Sequence, residues 1–210
     1  MAEPVVGDEM RAYYSNRARE YDDWWLGSGL YAARERPGWR EEVAALIGAL
    51  ASLPPARTLD VACGTGFLTR HFPGELTAID QSTEMVEIAA ARLPQARVLR
   101  AEAVPLPFAD AAFDRLVTSH FYGHLTGDEA SRFLNEARRV ARELVIVDSA
   151  LRPDSPAKQW QERTLKNGSK HRVFKRYFTA EGLRDELGAG ETVHSGDWFV
   201  AVRVRTNAIG

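Results

Sequence analysis

Four acidic or imidazole side chains stand at recurring places in this sequence: each closes a short apolar run. Asp60 lies in TLDVA, Asp80 ends LTAID, Glu102 follows ARVLR, and His120 follows FDRLVTS. Between the first two, Gly64-Thr65-Gly66 makes a tight turn in which the backbone can approach a ligand that a Cβ would repel. A dinucleotide fingerprint needs a third glycine where Thr69 stands, and a phosphate loop needs a G-K-[ST] that does not follow. Asp80 falls about 20 residues beyond Asp60, where an acid reads ribose hydroxyls. Glu102 is placed to accept from an exocyclic amine. Acids at three adjacent strand tips suit a ligand with a ribose, an amine and a positive charge, and would repel phosphates. The plain alternative is a turn that only joins strand to helix. A nicotinamide oxidoreductase is a weaker alternative, because of the missing glycine.

The elements that must hold these side chains follow from periodicity. TLDVA, LTAID, ARVLR, FDRLVTS and LVIVD are strand-like; FLTRHF, STEMVEIAAARL and DEASRFLNEARRVAR read as helices between them. Such alternation specifies a parallel sheet covered on both faces. TAEGLRDELG reads as a helix ended by glycine. ETVHS and DWFVAVRVR, so close together, read as a hairpin that gives the sheet an antiparallel end. The expected fold is therefore α/β, Rossmann-like and doubly wound, with a mostly parallel seven-stranded sheet and an antiparallel C-terminal strand. MRAYYSNRAREYDDWW reads as one helix with Tyr14, Tyr21 and Trp25 at helical offsets, and WREEVAALIGAL as another. A single domain over residues 1–210 is expected, with a helical cap over 1–50 and an insert over 152–178.

Composition sets outer limits. The 210 residues suffice for one α/β domain with a real core. A net charge of −2 gives no global pull towards nucleic acid or anionic lipid. One cysteine excludes an internal disulfide and any multi-cysteine metal site. The start lacks a secretory pattern and no apolar run is long enough for a membrane span, so a soluble, cytoplasmic protein is expected.

LDVACGTG, AIDQSTEM, EAVPLPFADAAFDRLVTSH and LVIVD resemble, in order and spacing, the motifs of class I S-adenosylmethionine-dependent methyltransferases over roughly residues 55 to 150. The resemblance implies S-adenosyl-L-methionine as cofactor and no metal. By it, Asp60, Ala62, Gly64 and Gly66 surround the methionine part, and Asp80 holds the ribose. Gln81 and Met85 flank the nucleoside, and Glu102 with Ala103 takes the adenine edge, where the family more often has Asp. Cys63 takes a position where small residues are common, as packing and not as a nucleophile. Tyr14 is assigned to the cofactor side of the N-terminal cap, Tyr21 and Trp25 to the acceptor side.

Methyl transfer needs alignment and a dry pocket more than protein chemistry. TSHFYGHL after the fourth strand differs from the [DNS]-P-P-[YFW] motif of amine-methylating DNA and glutamine enzymes. The cysteines of arsenic methyltransferases are absent, and no acidic cluster suggests the magnesium site of catechol enzymes. His120 is the candidate base or orienting donor; bonding to nearby backbone is its ordinary alternative, and the favoured one for His124. The run QERTLKNGSKHRVFKRYFTAEG gathers Arg163, Lys166, Lys170, Arg172, Lys175 and Arg176. A solvated basic face or RNA contacts would also explain it. Its resemblance to small bacterial O-methyltransferases, phosphonate methyltransferases among them, makes it a substrate lid with Arg163 and Lys175 as an anion clamp. The expected acceptor is a small anionic metabolite, a phosphonate or carboxylate, with neither nucleic acid nor membrane as partner. A neutral natural product methylated on N, C or O with His120 as base, and a cofactor-binding protein without turnover, remain open, as does the oligomeric state.

Overall fold

The computed structural model describes residues 7–153 and 155–206. The first six residues, the last four and position 154 lie outside it, and with them both ends of the proposed domain span.

Five parallel strands form the centre: β1 (Ala56–Val61), β2 (Gly74–Asp80), β3 (Arg97–Arg100), β4 (Arg115–Ser119) and β5 (Glu143–Ser149). A hairpin, β6 (Lys158–Thr164) and β7 (Lys170–Arg176), stands apart, and β8 (Glu191–Ser195) and β9 (Phe199–Arg205) complete the main sheet. The order is β3-β2-β1-β4-β5-β9-β8, with β9 antiparallel to both its neighbours. The seven-stranded, mostly parallel sheet is thus the expected one. Strand order reverses between β1 and β4, which opens a crevice at their carboxyl ends.

Among the described residues six α-helices accompany the strands: α1 (Asp8–Arg17), α2 (Asp23–Leu26), α3 (Trp39–Ala51), α4 (Thr83–Arg92), α5 (Gly127–Val140) and α6 (Ala180–Leu187). Period-2 alternation sends Leu116, Leu144 and Ile146 to one face of the sheet, with Phe133 and Leu134 of α5. Val117, Val145 and Val147 face the other way, against Leu46 and Leu50 of α3. Both faces are apolar, as a covered parallel sheet requires. The Glu129 carboxylate accepts the Thr126 N–H at 2.7 Å to start α5, and Thr179 accepts the Gly182 N–H at 3.0 Å to start α6. Glu42 of α3 accepts the backbone N–H groups of Asp197, Trp198 and Phe199, which pins the β8–β9 turn.

Two expected helices differ. FLTRHF makes only a short 3-10 turn at Thr69–His71. Phe72 must be extended because Pro73 follows (φ −78°, ψ 131°), and Gly74 already starts β2, so no length remains for a stable helix. The aromatic N-terminal stretch is two helices and not one. After Arg17 a 3-10 turn intervenes, and α2 ends at left-handed Gly27. This break decides which aromatics reach the crevice.

The hairpin docks on α1, where Tyr13 packs with Leu165 and Val173. Cap and hairpin therefore share one small core, separate from that of the sheet. In the main core, Phe133→Ala is expected to cost about 3–5 kcal/mol in chemical denaturation. Its side chain is wholly buried and in ring contact with Phe121 and Tyr122.

Candidate active site

The crevice begins where β1 ends. Ala62 has φ +58°, a strained conformation for a residue with a Cβ, and Gly64 (φ +57°) turns the chain. The buried Asp80 carboxylate accepts the Gly64 N–H and the Ser82 N–H, both at 2.9 Å. Ser82 in turn accepts the Met85 N–H at 3.2 Å and caps α4. One acid thus fixes the glycine turn and the start of the next helix, and its oxygens keep lone pairs for further donors. Burial pushes Asp80 up to about 6 and Asp60 to about 7. Asp60 lies deeper, accepting the Thr69 hydroxyl at 2.6 Å; its other oxygen has no partner. Burial, then Asp80, pushes the Cys63 thiol well up, so it is no thiolate nucleophile.

Two cavities meet at this point. The smaller, about 50 Å³, runs from Gly64, Asp80 and Gln81 to Glu102 and Ala103 under Met10 of the cap. Its walls carry two carboxylates and no lysine or arginine. Glu102 itself receives Arg11 of α1 at 2.8 Å through Oε1. The larger, about 570 Å³, lies between the cap and the hairpin and is lined by Arg17, Arg34, Arg36, Arg152, Arg163 and Lys175, with Glu162 the one carboxylate among the described residues. Tyr14, Tyr21 and His120 belong to both walls. An acidic cleft and a basic cavity are therefore joined through a neck of two phenols and an imidazole.

His120 leaves β4 at φ +57°. Its Nδ1 lies 3.3 Å from the Ser149 hydroxyl and 3.8 Å from Asp148 Oδ1, and its buried Nε2 has no partner. Trp24, Trp25 and Phe199 surround the ring. Burial holds its pKa down at about 3, against the pull of Asp148, so the ring is neutral at physiological pH. His124 has the backbone partner expected of it. Its Nδ1 lies 2.6 Å from the Phe174 carbonyl, which can only accept; the proton is therefore on Nδ1, and Tyr14 donates to Nε2 at 2.8 Å. Burial drives His124 well below its ordinary value.

Of the cofactor residues expected from sequence, Tyr14, Ala62, Gly64, Asp80, Gln81, Glu102 and Ala103 line the small cavity. Met85 does not: its side chain is wholly buried in the core beneath α4. Gly66 and Asp60 also stand behind the wall. A Cβ on Gly66 would meet Leu93 at 2.9 Å, so that glycine serves helix packing. On the acceptor side Tyr21 lines the neck, but Trp25 lies in the core, stacked on Phe67 at 5.0 Å. The break after α1 turns its neighbour Trp24 to the cavity instead. Arg163 and Lys175 share the inward face of the hairpin, since Lys175 pairs with Gln159, four positions before Arg163. They do not converge as a simple clamp. Lys175 is buried and ion-paired with Asp148, while Arg163 donates to Gln161 at 2.9 Å and to Tyr13 at 3.4 Å. Arg17, Arg34 and Arg36 were not anticipated. Their signal, three arginines within the aromatic N-terminal segment, was legible but subordinate to the denser basic run.

The residues present fit a sulfonium nucleoside: a cleft lined by two carboxylates, an acid at the ribose position and a turn open to close approach. S-adenosylhomocysteine, which shares the nucleoside, is expected to bind Asp80→Ala about 1–3 kcal/mol more weakly in calorimetry. Wild-type affinity should decline as pH falls through about 6, where the Asp80 carboxylate takes up a proton, and Asp80→Asn should lose that decline. A cleft of about 50 Å³ holds only a few waters, so a cap that shifts on nucleoside binding is expected. S-adenosylhomocysteine should accordingly change proteolytic cleavage within residues 8–31; equal rates with and without it would exclude a moving cap.

Residues 59–146 match the family model described as a methyltransferase domain. Two curated relatives are demethylmenaquinone methyltransferases. That of Thermotoga maritima is 36% identical over 118 residues, 52% of this chain and 49% of the relative. That of Renibacterium salmoninarum is 30% identical over 147 residues, 67% of this chain and 59% of the relative. The chain thus spans about half to three-fifths of the length of these relatives. Among solved structures, the DhpI-SAM-HEP complex superposes with TM-score 0.75 at 22% identity, covering 98% of this chain and 99% of that one. The PH0226 protein from Pyrococcus horikoshii superposes with TM-score 0.62 at 18% identity, covering 89% and 100%. These likenesses establish the fold. The family match makes residues 59–146 a methyltransferase domain, and its strand-end acids fit S-adenosylmethionine as the cofactor.

Proposed function

We propose that the protein transfers a methyl group from S-adenosylmethionine to an oxygen of a small anionic acceptor such as a phosphonate or carboxylate. The observation that carries this reading is the opposite charge of the two joined cavities, acidic on the cofactor side and basic beyond the Tyr14–Tyr21–His120 neck. The cofactor supplies an activated methyl on a sulfonium. Ala62, Gly64, Asp80, Gln81, Glu102 and Ala103 would hold it. Arg163 orients the acceptor anion with a planar fork, Lys175 holds the wall beneath it through its ion pair with Asp148, and the aromatic neck excludes water.

An anionic oxygen needs no base to attack. This suits His120, because an imidazole whose conjugate acid has a pKa of about 3 is a feeble proton acceptor at neutral pH. Its role here is orientation through the unpartnered Nε2. A second reading is favoured by the aromatic lining, with Trp24, Tyr31, Trp39, Trp160, Tyr177 and Trp198 on the wall, and by the names of the curated relatives. It is methylation of a planar, quinone-like or phenolic acceptor with His120 as base.

Incubation with methyl-labelled cofactor and a panel of phosphonates, carboxylates, phenols and hydroxyquinones separates the two readings, and absence of transfer to any would leave a cofactor-binding protein. For the anionic acceptor, Arg163→Ala is expected to lower kcat/KM tenfold to a hundredfold, about 1.5–3 kcal/mol, mainly through KM and with cofactor affinity unchanged. Arg163→Lys should recover part of this. His120→Ala should have little effect; its collapse beside a fully active Arg163→Ala would establish the base-assisted reading instead. Lys175→Ala is a poorer probe, because it strands the buried Asp148 charge and should cost about 3–5 kcal/mol of stability.

A further inference from the structure

The basic cavity holds its cations in two groups, and the group on the cap has no role in the reading above. Arg17, at the end of α1, is only 5% exposed. Its guanidinium donates to the Tyr31 hydroxyl at 3.2 Å and lies over the rings of Tyr21 (4.8 Å), Tyr13 (5.6 Å) and Tyr31 (5.8 Å). Arg34 and Arg36 approach the same Tyr31 ring, at 4.7 and 5.8 Å. Arg36 also donates to the Trp24 carbonyl at 2.9 Å and covers Trp39 at 3.8 Å. Three guanidinium groups thus surround one phenol ring. Among the described residues none of the three pairs with a carboxylate. Their partners are rings, a hydroxyl and a carbonyl, which fix the groups in place and leave their charge uncompensated.

Such an arrangement is costly on its own terms. Like charges repel, and a buried cation without a counter-ion loses hydration that π-faces restore only in part. Glu35, between two of the arginines, does not line the cavity. Glu162, which does, is bonded to Lys170 at 2.8 Å. Arg163 lies 5.8 Å from the far member of the same set of rings, Tyr13, so the hairpin cation and the cap cluster border one continuous space.

We propose that Arg17, Arg34 and Arg36 around Tyr31 form a second anion subsite, which takes an acidic group of the acceptor remote from the oxygen that is methylated. This rests on the reading that the basic cavity receives the acceptor, and it narrows that class to molecules with two separated acidic groups. Three forked donors favour a phosphate or phosphonate, whose several oxygens can be shared among them, over a single carboxylate.

Linear tripolyphosphate, an anion long enough to reach both groups of cations, is the probe. Calorimetric titration into the S-adenosylhomocysteine-loaded protein is compared for wild type, Arg34→Gln/Arg36→Gln and Arg163→Gln. Arg34 is exposed and Arg36 half-buried, so the double variant should fold; melting temperature and S-adenosylhomocysteine affinity check this. The subsite requires at least tenfold weaker tripolyphosphate binding in the double variant with cofactor-site affinity unchanged. Unchanged binding in the double variant with a loss in Arg163→Gln would overturn the subsite and leave the anionic-acceptor reading standing. Unchanged binding in both would overturn both. A loss in the double variant alone would uphold the subsite and remove Arg163 from the clamp.

Discussion

Asp148 closes β5 with no exposed surface, and a buried carboxylate is tolerable only if its neighbours replace the water it has lost. Burial alone would raise its pKa, yet the Lys175 ammonium beside it holds it below the ordinary range. The Gly123 N–H donates to it at 2.7 Å, the Ser149 N–H at 2.7 Å, and Lys175 completes the shell. Each donor belongs to a different part of the site. Gly123 is in the turn that presents His124, Ser149 meets the His120 ring, and Lys175 is on the hairpin. This one buried charge ties together three walls of the larger cavity.

The N-terminal cap is tied down by a second set of contacts. Arg92 at the end of α4 donates to the Thr65 carbonyl at 2.9 Å and to Asp22 at 2.5 Å, and the Thr65 hydroxyl also donates to Asp22 at 2.6 Å. Ser15 reaches Ser82 at 3.0 Å. Cap, glycine turn and helix α4 therefore move as coupled parts. A shift of the cap would break only these partly exposed polar bonds and leave the sheet core in place. That is the low-stability end of a fold from which mobile lids are drawn.

Charge separation across the neck has a chemical consequence. On the proposed reading, a sulfonium on one side and an anionic acceptor on the other would be attracted towards this boundary, and both charges would diminish as the methyl moves. A neutral neck of Tyr14, Tyr21 and His120 does not compete for either. The phenols are neutral at their ordinary pKa and burial pushes them further up, while burial pushes the histidine down and keeps it neutral. The strained backbones of Ala62 and His120 flank the same cleft, as is common where side chains must be aimed with little freedom.

The sequence by itself determined the sheet, its strand order type and the acids at the strand tips, because period-2 apolar runs and glycine turns are local signals read without knowing what lies opposite. It also carried the cofactor class, since Asp80, Glu102 and the Gly64 turn are tied to strand ends. It could not show that Trp24 and not Trp25 faces the cavity, because one 3-10 turn after Arg17 rotates everything that follows it. Nor could it show that Met85 and Gly66 serve packing, which depends on what α4 meets. The pairing of Lys175 with Asp148, 27 residues apart, and the gathering of Arg17, Arg34 and Arg36 on Tyr31 arise only when cap, sheet and hairpin close on one another. Burial converts residues of ordinary type into neutral histidines and uncompensated arginines, and burial is a property of the folded whole.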